Sequence, residues 1–314
     1  MINGVINVYK EKGFTSHDVV AKLRGILGQK KIGHTGTLDP DAEGVLPVCL
    51  GRATKLCDML TDKDKTYETV LLFGKTTDTQ DITGEVLEEK DVRVLTDEKI
   101  EDCIKRYIGE YNQIPPMYSA LKVNGRKLYE LAREGKVIER KPRTVQIHDI
   151  RIQKIELPRV WMEVACSKGT YIRTLCHDIG QELETGACME SLLRTKVSRF
   201  ELKDSLKLAR IEEVKRAGRI MEVVIPVDQM FSGLGSLTVL KEHAALAYNG
   251  NPVPENFMRH AGNSTEGTSE SGDESRLYRV YDEDGRFIGI YRLLEKRKEY
   301  RLEKMFLDQE ELRG

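Results

Sequence analysis

Two hydrophobic periods succeed one another along the chain. Gly4-Val5-Ile6-Asn7-Val8-Tyr9 is a β-branched run that predicts a strand, and after it Val19, Val20, Leu23, Ile26 and Leu27 recur on one face of a helix capped by Ser16. Residues 45–50 are apolar, and Lys65-Thr66-Tyr67-Glu68-Thr69-Val70-Leu71-Leu72-Phe73 has the β-branched and aromatic content of a strand. Thr96 opens a second helix with Asp97 and Glu98 in its first turn, where the helix dipole favours acids, and Ile100, Cys103, Ile104, Tyr107 and Ile108 form its buried stripe. Residues 126–134 read as a short helix with Leu128, Leu131 and Ala132 inward and Gly135 as its C-cap. Residues 143–155 and 160–166 alternate as two antiparallel strands, residues 167–175 turn into a helix running through Leu183, and Val197-Ser198-Arg199-Phe200 returns to the sheet. No internal repeat appears, and strands mix with helices without the regular alternation of a doubly wound fold, so the pattern gives an α+β class.

Pro226, Gly233 and Gly235 mark a boundary, after which the chain changes character. Residues 237–248 contain a helix. Residues 261–275 hold Ser, Thr, Gly and acid with no large apolar side chain and read as a flexible insertion. Residues 276–294 then form a hairpin about the turn Asp282-Glu283-Asp284-Gly285.

The length of 314 residues allows about two domains, and 39% apolar with 32% charged residues describes a globular, highly charged protein. No apolar run approaches the roughly 18 residues of a membrane span, and the N-terminus lacks the basic start and cleavage site of a signal peptide, so a cytoplasmic location is expected. The six cysteines show no Cys-x-x-Cys and the histidines no ligand spacing, which points to buried reduced thiols and away from zinc. A net charge of -1 hides an asymmetry. Residues 119–143 carry eight basic against three acidic side chains, a local +5; residues 193–219 also reach +5, with nine against four; and residues 78–102 hold ten acids against three bases, a local -7. Separated patches of opposite sign suit a polyanion confined to one face, although solvated helix faces account for charge alone equally well.

Three glycines and two prolines fall within Ile32-Gly33-His34-Thr35-Gly36-Thr37-Leu38-Asp39-Pro40-Asp41-Ala42-Glu43-Gly44-Val45-Leu46-Pro47, which rules out a regular helix or central strand and predicts a shaped loop. Asp39 precedes a proline and is therefore held extended. Gly74-Lys75-Thr76 looks like the end of a phosphate-binding loop but fails, since position 69 is Thr69 where that motif needs Gly.

The loop resembles the catalytic loop of the TruB family of tRNA pseudouridine-55 synthases, in which the Asp is the essential residue. Three further runs carry the resemblance: Thr76-Thr77-Asp78-Thr79-Gln80-Asp81-Ile82-Thr83-Gly84, Ser167-Lys168-Gly169-Thr170-Tyr171-Ile172-Arg173-Thr174-Leu175, and Gly186-Ala187 followed by Ser191-Leu192-Leu193-Arg194-Thr195. Lys10 and Gly13 match the family's first turn, where Glu11 replaces a proline. The resemblance implies a mixed, mostly antiparallel sheet with a cleft across its middle over residues 1–232, a thumb-like RNA-binding insertion near 119–143, and a small PUA-like β-barrel over 236–314 that binds the tRNA acceptor arm.

The implied reaction breaks a uridine's glycosidic bond, turns the base and rejoins it through C5, with no cofactor. By resemblance Asp39 is the nucleophile or charge stabiliser, attacking the uracil ring or the sugar carbon; Arg173 pairs with it and keeps it ionised. Tyr67 stacks on the flipped base and accepts the C5 proton, Tyr171 and Leu192 line the substrate pocket, and His34 fills the space the base leaves. Lys10, Lys55, Lys122 and Arg194 hold phosphates, supplying affinity without sequence information. The expected partner is tRNA, through its T-arm and acceptor arm, with no membrane and no obligate protein partner. Two rivals stay open: a guide-RNA-dependent relative of the same superfamily, disfavoured by the thumb-like insertion, and a non-catalytic RNA-binding or tRNA-folding protein. The latter has no need of a carboxylate facing a polyanion.

Overall fold

The computed structural model describes residues 1–61, 63–260 and 276–307; the expected insertion at 261–275 lies outside them. Lys65–Phe73 is a strand as predicted, and it buries Lys65, Tyr67, Thr69, Leu71 and Phe73 on one face. It lies inside a nine-stranded sheet ordered Gly4–Lys10, Glu43–Leu50, Ala187–Val197, Lys65–Phe73, Arg159–Cys166, Arg143–Glu156, Gly109–Gln113, with Ile32–His34 and Phe200–Glu201 paired off this path. Most pairings are antiparallel, while Glu43–Leu50 runs parallel to Ala187–Val197. Tyr67, Leu71 and Phe73 share a core with Ile100, Cys103 and Ile104 of helix Asp97–Lys105 and with Ile172, Leu175, Cys176 and Ile179 of helix Ile172–Glu182. That core underlies the site.

The structure corrects several boundaries. Helix Asp97–Lys105 ends before Tyr107 and Ile108, so Tyr107 only lines the core and Ile108 is exposed. In the short thumb helix, Leu128–Arg133, Ala132 is half-buried and Glu134 takes the cap position; Arg126–Lys127 belongs instead to a small hairpin with Lys122–Val123. Its turn, Asn124-Gly125, has φ of 51° and 82°, the positive values an Asn-Gly hairpin turn requires. Ala187–Val197 is one continuous strand that the sequence did not announce, because register shifts at Met189/Ser191 and Arg194/Lys196 break the alternation.

The chain divides into two compact units. One comprises Asn7–Val48 and Lys55–Gly218, and it holds every candidate site residue. The other joins Met1–Ile6 and Cys49–Thr54 to the described residues from 219 onward. In the second unit a six-stranded sheet, ordered Val253–Pro254, Glu299–Met305, Phe287–Leu294, Leu277–Tyr281, Gly235–Val239, Met258–His260, curls into a nearly closed barrel around Leu237, Val280, Tyr291 and Tyr300. Its Asp-Gly hairpin forms as expected, with Gly285 at φ 77° and its N–H on the Asp282 carbonyl. Residues 237–248 hold the end of a strand, a 3-10 turn at Lys241–His243 and the short helix Ala244–Tyr248.

Candidate active site on the Asp39 loop

The loop between Ile32–His34 and Glu43–Leu50 is held by neighbours on every side. Thr15, and not Ser16, caps helix Ser16–Leu27, in a capping box with Asp18. Ser16 is thereby free to reach the loop: its buried hydroxyl accepts the Leu38 N–H at 2.9 Å and donates to the Leu38 carbonyl at 3.3 Å. Two residues on, the Pro40 carbonyl accepts from Lys10 Nζ at 3.0 Å and from the Gly13 N–H at 2.9 Å. Gly13 has φ of 86°, the left-handed backbone that glycine adopts without strain, in the turn where Glu11 stands. Arg194 spans the loop from below, donating from Nε to the Val45 carbonyl at 2.7 Å and from Nη1 to the Thr37 carbonyl at 3.5 Å.

Asp39 meets Arg173 where the first turn of Ile172–Glu182 approaches the loop. Arg173 Nε lies 3.1 Å from Asp39 Oδ2, and the guanidinium also donates to the Thr79 carbonyl at 3.0 Å, to the Tyr118 carbonyl at 2.8 Å and to Asp81 Oδ2 at 3.4 Å. Arg173 is 5% exposed, so its charge is compensated by two carboxylates and fixed in direction by two backbone oxygens. Asp81 and the Tyr118 carbonyl did not figure among the expected site residues. The run Asp78-Thr79-Gln80-Asp81 was their signal: Asp81 Oδ1 accepts from Thr79 Oγ1 and from the Thr83 N–H, which fixes the carboxylate. Burial pushes the Asp39 carboxyl above its ordinary value, opposed by Arg173 and Lys10 and assisted by Asp81 and Asp41.

Tyr67 is 7% exposed, and burial pushes its phenol up to about 12 against the charge of Arg194. His34 is half-buried with its ring edge-on to His17 at 5.2 Å; its Nδ1 accepts the Gly36 N–H, and burial lowers its basicity, so the ring is neutral with its proton on Nε2. Tyr171 is anchored through its backbone, its N–H donating to Gln113 Oε1 at 2.8 Å and its carbonyl accepting from Gln113 Nε2 at 2.9 Å. Leu192 lies half-buried beside the core on Ala187–Val197, opposite Thr69. Lys55 and Lys122 are exposed. Lys10 and Arg194 are 0% and 1% exposed with backbone carbonyls for partners, so a role as phosphate holders gives way to one as internal braces. Five of the six cysteines are buried thiols and Cys57 is half-buried; burial pushes Cys166 up to about 12, which makes it unreactive. Among the described residues no group of three or more His, Cys, Asp or Glu could hold a metal ion.

The arrangement sets a carboxylate, a buried guanidinium, a phenol and a neutral imidazole around one loop. Residues 24–172 match the family model of the TruB family pseudouridylate synthase N-terminal domain, and residues 173–232 that of the tRNA pseudouridylate synthase B C-terminal domain. The chain belongs to the TruB family. Among TruB relatives, tRNA pseudouridine synthase B of Lachnoclostridium phytofermentans is 56% identical over 98% of this chain and 100% of its own length. The protein of the same name from Clostridium perfringens strain SM101 is 42% identical over 98% and 100%. The TruB fold also resembles a chain of a solved Cbf5-Nop10-Gar1 complex, with a TM-score of 0.69 at 26% identity over 98% of this chain and 86% of that one.

Proposed function

We propose that this chain is a tRNA pseudouridine synthase that isomerises the uridine at position 55, in the T-arm, by an Asp39-dependent route without a cofactor. The observation that carries the reading is the Asp39–Arg173 contact of 3.1 Å on a braced loop, in a chain whose full-length relatives bear the synthase name. Asp39 attacks the uracil ring or the sugar carbon, and Arg173 orients the carboxylate and opposes the rise that burial imposes on it. Once the base has turned and joined through C5, Tyr67 takes the C5 proton. Tyr67 also stacks on the flipped base, Tyr171 and Leu192 wall the pocket that stops free uracil escaping, and His34 enters the space the base leaves. Isomerisation moves no electrons to or from an acceptor and transfers no phosphoryl group, so the chemistry asks for no cofactor.

The exposed Lys55 and Lys122, with the basic thumb near 119–143, suit the phosphates of the T-arm. The six-stranded barrel-like sheet suits a PUA-like role on the acceptor arm, with the division into a catalytic domain at 1–232 and an RNA-binding domain at 236–314. A cytoplasmic location belongs to the same proposal, since the substrate it names is tRNA. Incubating it with an unmodified tRNA transcript and mapping pseudouridine tests the whole reading: modification at the T-arm uridine is expected. Binding without modification would favour the non-catalytic rival, and modification elsewhere would remove the site assignment.

A further inference from the structure

Arg194 is a buried cation that forms no ion pair with a carboxylate among the described residues. Such a charge is costly to hold, so its surroundings should show what it serves. In the sheet it sits directly opposite Tyr67 on one side, where facing side chains come within contact distance, and opposite Gly44 on the other. The register shift after it, between Arg194 and Lys196, is a device that re-aims a side chain next to a site. Two of its nitrogens are taken by the Val45 and Thr37 carbonyls, while Nη2 is buried without an acceptor. Of the charges acting on the Tyr67 phenol, that of Arg194 is the strongest.

We propose that Arg194 is a positioning residue for proton transfer at Tyr67: it ties the Asp39 loop to the strand opposite Tyr67 and offers a positive charge and an unclaimed N–H donor to the phenolate oxygen. The proposal rests on Tyr67 being the C5 proton acceptor. A neutral phenol has no capacity for that proton, so Tyr67 must first lose its own to solvent. The phenolate then takes the proton from C5, and the C5–H electron pair re-forms the C5=C6 double bond as the N1=C6 pair returns to N1 (or, where Asp39 had added to the ring, as the Asp39–C6 bond breaks). N1 takes up a proton from solvent, and the phenol returns its own proton to solvent after release. Arg194 stabilises the charged form at both ends of this cycle. Asp39 on the loop and Cys166 on Arg159–Cys166 push the phenol the other way, and Lys10 and His34 also feel the Arg194 charge. Arg194 is thus the cation acting most directly on the Tyr67 oxygen.

The experiment compares Arg194→Gln and Arg194→Lys in wild-type and Tyr67→Phe backgrounds, reading melting temperature, tRNA affinity and single-turnover rate against pH. Arg194→Gln should slow the single-turnover rate about 100-fold while tRNA affinity stays within about threefold, and Arg194→Lys should recover most of the rate. In the Tyr67→Phe background Arg194→Gln should cost at least about tenfold less than in the wild-type background, because the interaction with the phenol is already gone and only the loop brace is left to lose. A wild-type rate in Arg194→Gln, an equal loss in both backgrounds, or a loss of tRNA affinity with the saturated rate intact would each overturn the proposal. A fluorinated tyrosine at position 67, whose phenol is more acidic, supplies a readout that needs no turnover. Its titration should move up by about one unit or more when Arg194 loses its charge, and stay near wild type in the more conservative Arg194→Lys protein. No upward movement overturns the proposal even if Arg194→Gln cannot be purified. If the unaltered chain makes no pseudouridine, the function fails, and this titration still decides whether Arg194 acts on Tyr67.

Discussion

At the scale of single residues, Asp39 is pulled both ways. Burial raises its pKa and Arg173 lowers it, and burial prevails. A carboxyl raised in the folded state binds protons more readily there than when unfolded, so its favourable contribution to stability is complete below the unfolded value and is lost as pH rises through the folded value. Ionised Asp39 therefore costs stability at neutral pH. Asp39→Asn should abolish pseudouridine formation, leave tRNA binding intact and melt no lower than wild type at neutral pH, and the two melting temperatures should converge in acid. A clear drop in melting temperature at neutral pH would show that the carboxylate stabilises the fold. Tyr67 separates in a similar way. Tyr67→Phe keeps the ring and should bind tRNA normally while slowing single turnover by about 10² to 10⁴. Tyr67→Leu should also lose the roughly 1 to 3 kcal/mol of base stacking. An active Tyr67→Phe protein would end the proton-acceptor role, and a Tyr67→Leu variant that loses stability without losing affinity would mark a core tyrosine.

At the scale of elements, the loop is rigid because two strands and a helix each lend it a side chain: Lys10, Arg194 and Ser16. Two glycines that flank the loop differ in what they permit. Gly44 has φ of 106°, and a Cβ there would lie 2.2 Å from the Arg194 carbonyl oxygen, across the parallel pairing that carries the brace. Gly13 has φ of 86° with nothing within 4 Å of a Cβ. Gly13→Ala should cost only the backbone penalty of about 1 to 2 kcal/mol. Gly44→Ala adds a backbone collision and should cost about 2 to 4 kcal/mol or prevent folding. Chemical denaturation of the two variants tests the contrast, and equal losses would show that strand Ala187–Val197 can move away from the loop.

At the scale of the whole molecule, charge is arranged where a net value of -1 conceals it. In the thumb, Arg126 and Lys136 pair with Glu134, which leaves Lys122, Arg133, Lys141 and Arg143 as exposed cations outside that cluster. Phosphate contacts supply affinity through counterion release, at a slope of about one per contact. Lys122→Gln with Lys141→Gln should reduce the dependence of log affinity on log salt by about 2, weaken binding alike for modified and unmodified tRNA, and leave the single-turnover rate at saturation unchanged. An unchanged salt slope would remove both lysines from the interface.

Elements with a clean period were legible in the sequence. Lys65–Phe73, Arg143–Glu156 and Arg159–Cys166 appear where alternation placed them, because a strand with one face in the core must alternate. The contact of Arg173 with Asp39 was legible too, from runs of residues whose types resemble a known family. The rest came from contacts distant in sequence. Thr15 and Ser16 are both good capping residues, and only the nearness of Leu38 decides that Thr15 caps the helix while Ser16 holds the loop. Strand Ala187–Val197 escaped notice because its register shifts break the alternation that reveals a strand, and one of those shifts adjoins Arg194. Lys10 and Arg194 are cations by sequence, and a cation in an RNA-modifying chain suggests a phosphate. Whether its charge meets solvent or a backbone carbonyl depends on what the fold packs over it, and for these two residues the tertiary structure alone decided.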